Sequence, residues 1–95
     1  MSSNVTCISP VDGSIVAERP LATAGQVSDA LASARAAQQA WRKWSVVDRA
    51  AACSRAVDAM LAMAGEIIPE LAMQMGRPVR YGQGELNGFE ERARH

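Results

Sequence analysis

Val5-Thr6-Cys7-Ile8-Ser9-Pro10-Val11-Asp12-Gly13-Ser14-Ile15-Val16-Ala17-Glu18 is the stretch that decides the fold. Two short runs of strand-type residues flank a turn. Pro10 presets its own φ, and Gly13 supplies a position where φ is positive without steric cost. The reading is a β-hairpin over about 5–18. Two strands alone are marginal in water, because a single hairpin buries too little apolar surface. Everything after this hairpin reads as helix, so the chain carries a piece of sheet without the rest of one.

The four following segments are set by capping and periodicity. Thr23-Ala24-Gly25-Gln26 is a capping box that opens a helix over about 24–43. Its stripe of Val27, Ala30, Leu31, Ala34, Gln38 and Trp41 ends in its largest side chain, the expected anchor of its packing. Trp44-Ser45 is a break. Ser45 and Asp48 then open a helix over about 46–64, with Val46, Ala50, Cys53, Val57, Leu61 and Ala64 on one face. That face implies a buried, inert Cys53.

Gly65 interrupts the pattern. A proline deep in a helix costs ~3 kcal/mol, so a fresh helix over about 66–75 is expected, with Pro69 in its first turn. Ile67, Ile68, Leu71, Ala72 and Met75 form its apolar face, and Gly76 and Pro78 close it. A last helix over about 79–94 has Leu86, Phe89 and Ala93 on one face. Gly82, Gly84 and Gly88 each cost it about 1 kcal/mol relative to alanine, so it needs tertiary support. Arg94-His95 carries no stop signal, and the expectation is a truncated parent.

Composition limits the rest. The apolar fraction is 48%, but 18 of the 95 residues are alanine, which adds little buried area, so a self-sufficient core is not assured. Ten basic and ten acidic residues cancel, and the basic ones form no stripe, which argues against nucleic acid. Arg42-Lys43 and Arg77…Arg80 read as a solvated face. No segment approaches the ~20 apolar residues of a membrane span, and no secretory signal is visible. Cys7 and Cys53 read as reduced, buried thiols of a cytoplasmic protein.

The chain offers no catalytic, cofactor-binding or metal site. Gly82-Gln83-Gly84-Glu85-Leu86-Asn87-Gly88 has neither the spacing nor the preceding strand of a dinucleotide loop. His95 is the only histidine, so no histidine-centred base or metal triad can be assembled. Glu66 and Glu70 read as a solvated pair. Met60, Met63, Met73 and Met75 read as core filling rather than a soft binding groove.

The order of the signals is distinctive. A hairpin with Ile8-Ser9-Pro10…Gly13…Ile15-Val16 precedes an alanine-rich helix ending in Trp41. Ser45 and Asp48-Arg49 open the next helix. Gln74-Met75-Gly76-Arg77-Pro78 closes the run, with Glu85 seven residues after the proline. This resembles the amino-terminal segment of the NAD(P)-dependent aldehyde dehydrogenase superfamily, with its Asn-Pro-x-x-Gly-type hairpin and Glu-x-Gly-Lys-Pro turn. Ser9, Gln74 and Arg77 depart from the usual Asn, Glu and Lys.

The resemblance implies an α/β parent with a Rossmann-like cofactor domain, of which residues 1–95 are a partial amino-terminal piece, mainly α by itself. It implies a parent that oxidises aldehydes to acids with NAD or NADP, with its nucleophilic cysteine, glutamate base and cofactor contacts downstream. Neither Cys7 nor Cys53 aligns with that nucleophile. Some members hold a monovalent cation through an acidic residue at the position of Leu86, so that site does not carry over. The implied partners are the remainder of the fold and, for the parent, further copies of itself. The fragment alone is expected to be inactive. The competing reading is a small helical protein-binding module.

Overall fold

The computed structural model describes residues 3–95. The hairpin pairs β1 (Asn4–Ile8) with β2 (Ile15–Pro20), antiparallel, from Asn4 opposite Pro20 to Ile8 opposite Ile15. The register shifts between Cys7, opposite Ala17, and Ile8, opposite Ile15. Val16 is therefore an extra residue on β2, which twists the ribbon locally. Gly13 takes a φ of 76°, as the turn chemistry requires. Its amide donates to the Ser9 carbonyl at 2.9 Å, and the Ser9 amide donates to the Ser14 carbonyl at 2.8 Å.

The helices follow their caps. α1 (Ala24–Trp41) starts at Thr23 with both halves of the capping box made: the Gln26 amide donates to Thr23 Oγ1 at 3.1 Å, and the Thr23 amide donates to Gln26 Oε1 at 2.9 Å. α2 (Val46–Leu61) starts at Ser45, whose Oγ accepts from the Asp48 amide at 3.0 Å. α3 (Ala64–Met75) ends at Gly76 with φ 73°. A short 3-10 turn over Val79–Tyr81 leads into α4 (Gly82–Arg94).

Pro69 is not in the first turn. α3 begins at Ala64, two residues before the expected start, so Pro69 lies in the second turn. There it lacks the amide that would bond to the Gly65 carbonyl four residues earlier, and α3 nevertheless continues to Met75.

α2 and α3 each pack on α4, the element both share. That supplies the tertiary support its three glycines demand. Val57 of α2 (5% exposed) and Leu86 of α4 (4%) are the buried apolar residues among those described. α1 packs on none of these helices to a comparable degree and buries no residue. Trp41 is half-buried and lies 5.2 Å from Trp44, so it anchors the α1–α2 corner and not the stripe along α1.

The result is a thin plate, 49 × 38 × 16 Å. Its radius of gyration is 17.5 Å, against about 12 Å for a compact domain of this length. Its accessible surface is 7540 Å², whereas a folded monomer of 10.1 kDa exposes about 5,300 Å².

Three expectations fail for this one reason. Cys53 is exposed and Cys7 only half-buried. α4 crosses α2 with Arg94 over Ser54 and Asp58, which leaves Val46, Ala50 and Cys53 beyond its cover. Met60, Met63, Met73 and Met75 are all exposed, from 38% to 62%, and fill no core here. A periodic stripe identifies an apolar face, but burial needs a second surface to meet it.

Candidate functional site

The hairpin tip and the corner after α3 lie far apart in sequence, yet the fold brings them together. A Cβ on Gly76 would stand 2.8 Å from Pro10 Cγ, so Gly76 answers two demands at once: a left-handed backbone and a close approach. Ser9 beside it is 1% exposed, and its Oγ accepts from the Val11 amide at 3.2 Å. The next residue after Gly76, Arg77, pairs with Glu85 of α4 at 2.8 Å, both half-exposed. Thus Ser9-Pro10, Gly76-Arg77 and Glu85 form one junction between hairpin, α3 and α4.

Beside this junction lies an open concavity of about 760 Å³, lined by Arg77, Glu85 and Arg92 with Gly84, Gly88 and Phe89. Its polar groups stand on the rim in water, and nothing in it converges on a reacting atom.

A second cluster ties α4 to α2. Arg94 donates to Ser54 Oγ at 2.6 Å, to Glu90 Oε2 at 2.9 Å and to a carboxylate oxygen of Asp58. Those bonds raise its pKa, first through Asp58 and then Glu90. Half of this is legible in the sequence, since Glu90 and Arg94 stand at i,i+4. The Asp58 partner follows only from the packing of two helices.

The other residues that the sequence singles out do not assemble. Gly82–Gly88 runs within α4, where Gly82 backs directly onto Ile68: a Cβ there would fall 2.5 Å from Ile68 Cγ2. His95 and Cys53 border the same shallow concavity, with no hydrogen bond or ion pair between their side chains. Glu66 and Glu70 are exposed. Among the described residues no three His, Cys, Asp or Glu side chains gather as a metal would need. No helix among them is long and apolar enough to cross a membrane.

Among the described residues one buried side-chain donor is unmet. Arg49 Nε, in the first turns of α2, is shielded from water and has no acceptor. Leaving such a group unpaired costs about 1–3 kcal/mol.

The junction residues are the same ones that carry the sequence resemblance, and comparison with known proteins agrees with them. The model of the aldehyde dehydrogenase family matches residues 1–94. The chain belongs to the aldehyde dehydrogenase family. It corresponds to an amino-terminal segment of that family. A 3,6-anhydro-alpha-L-galactose dehydrogenase of Streptomyces coelicolor is 35% identical over 81 residues, 85% of this chain and 16% of that protein. Betaine aldehyde dehydrogenase 2 of Rhizobium meliloti is 33% identical over 75 residues, 79% of this chain and again 16% of the relative. The chain thus spans about one sixth of the length of these relatives. No solved structure matches it.

Proposed function

We propose that this chain is the amino-terminal framing part of an enzyme that oxidises aldehydes to carboxylic acids with NAD or NADP, and that these 95 residues hold neither cofactor nor reacting groups. The family match over residues 1–94 carries this reading. The dispersion of the titratable groups supports the second half. The glycines of 82–88 support it further, since they are helical and Gly82 is closed off by Ile68. Water, the aldehyde and the nicotinamide would all meet on residues outside this segment.

The test is a graft. The Streptomyces relative is produced whole, with its matched 81 residues replaced by the corresponding residues of this chain. Aldehyde-dependent reduction of NAD or NADP is followed at 340 nm, in parallel with the 95-residue chain alone. The expected outcome is turnover by the graft and none by the chain alone. Turnover by the isolated chain refutes the proposal. An inactive but folded graft refutes the framing role. Cooperative thermal unfolding of the isolated chain would instead favour a self-standing helical binding module.

A further inference from the structure

We propose that Asn87-Gly88 is a site of spontaneous modification, where asparagine is converted to aspartate and isoaspartate, and that α4 gates the reaction. The chemistry is intramolecular. The Gly88 amide nitrogen attacks Asn87 Cγ; an N–Cγ bond forms, the bond from Cγ to Nδ2 breaks, and ammonia leaves with the amide proton. Water then opens the five-membered imide at either carbonyl. One opening restores the chain as aspartate, and the other leaves it running through the side chain as isoaspartate. Nothing is oxidised or reduced. Glycine after the asparagine makes the attack feasible, because no Cβ crowds its nitrogen. Asn4, the other asparagine of the chain, precedes the β-branched Val5.

The structure sets both the barrier and its weakness. Asn87 and Gly88 lie inside α4. A helical ψ of about −42° holds the Gly88 nitrogen away from Cγ, and helical bonding commits its N–H to the Gly84 carbonyl. Gln83 Nε2, one turn earlier, donates to Asn87 Oδ1 at 3.0 Å and fixes the side chain along the helix. The reaction therefore needs α4 to open. Asn87 is exposed, so water reaches it. Gly82 is required by its packing on Ile68, but a Cβ at Gly84 or Gly88 would meet nothing within 4 Å. Those two glycines weaken the helix beside the reactive bond without a packing role. Isoaspartate adds a carbon to the backbone, so residues beyond 87 lose their register with those before it. Arg94 is then turned away from the Asp58 and Ser54 that it holds on α2. The change is one-way, because it removes contacts that kept α4 closed.

The experiment incubates the 95-residue chain at fixed, mildly alkaline pH. The modified peptide is quantified by mass spectrometry while amide exchange of α4 is measured on the same samples. Concentrated urea removes the helix and gives the intrinsic rate; in plain buffer the rate should be at least about tenfold lower. Reclosing is fast compared with this chemistry, so the rate follows the open population. Gly82→Ala, which drives a Cβ into Ile68, should speed modification roughly 5- to 30-fold, up to the rate in urea. Gly84→Ala should slow it a few-fold. A graded urea series moves the same equilibrium with no substitution, so the test stands even where a variant leaves α4 unchanged. Equal rates in buffer and concentrated urea overturn the gate, as does a rate that fails to follow α4 exchange along the series. Absence of product at Asn87 in concentrated urea overturns the site itself.

Discussion

Gly82→Ala should loosen α4 from α3, although alanine is the better helix former. The added Cβ would lie 2.5 Å from Ile68 Cγ2 and 3.1 Å from both Ile68 Cβ and Cγ1. Turning Ile68 about χ1 moves the two γ carbons but not Cβ, and a β-branched side chain in a helix has one favoured χ1. The clash must therefore be relieved by backbone displacement. Overpacking of this kind costs about 1–3 kcal/mol. The gain from replacing glycine is at most about 1 kcal/mol, and less at the first residue of a helix. The net is a loss of about 1–2 kcal/mol, or roughly 5- to 30-fold in the local opening equilibrium. Amide hydrogen exchange of α4 reads that equilibrium without requiring the whole chain to unfold cooperatively. Gly84→Ala is the control, because nothing lies within 4 Å of its Cβ. It should raise protection by a few-fold. Unchanged or higher protection in Gly82→Ala would refute the close packing of α4 on Ile68.

Gly76→Ala should both strain the backbone at φ 73° and push on Pro10, costing about 1–2 kcal/mol for the left-handed conformation alone; loss of nuclear Overhauser contacts between Pro10 and position 76 checks it. Gly76→Asn separates the two effects, since asparagine tolerates the left-handed region but still carries the colliding Cβ, and the contact should be lost there too. In the hairpin turn, Asp12 accepts from the Ser14 hydroxyl at 2.6 Å and the Ser14 amide at 2.9 Å, which lowers its pKa below the ordinary 3.8. A depressed carboxylate stabilises the turn above 3.8, and that support is lost as pH falls through its lower folded value. The Ser14 amide shift should therefore move only in that acid window, and Asp12→Asn should abolish the movement. Arg94→Gln removes the link from α4 to Asp58 and Ser54 and should increase exchange at the end of α4 while leaving the hairpin unchanged.

Local signals read correctly wherever one segment contains its own reason. Thr23 with Gln26, Ser45 with Asp48, and the left-handed Gly13 and Gly76 each bond or bend within a few residues, so their placement follows from sequence spacing. Pro69 does not follow: its cost alone argues for a later helix start, yet α3 begins at Ala64 and runs through it. Ser9 shows the opposite case. As a departure from the family's usual Asn it looks like a weakness, yet its Oγ accepts the Val11 amide two residues on. Serine and asparagine side chains both make this short-range bond, so the substitution preserves the turn that sets Pro10 against Gly76.

Partners across the chain are what periodicity cannot supply. Cys53 belongs to a regular α2 stripe, and the stripe exists, but α4 reaches only part of it. The α1 stripe exists equally, but its Val27 and Leu31 stay exposed. Arg49 Nε is buried without an acceptor, the polar counterpart of the same deficit. The opening hairpin fits this pattern: its tip is fixed by Pro10 on Gly76, while Val5 at 55% and Ile15 at 62% exposure stay uncovered. A core of Val57 and Leu86 cannot account for a sequence so regularly patterned. What holds hairpin and helices in one arrangement is the junction of Pro10 on Gly76, with the Arg77–Glu85 pair beside it.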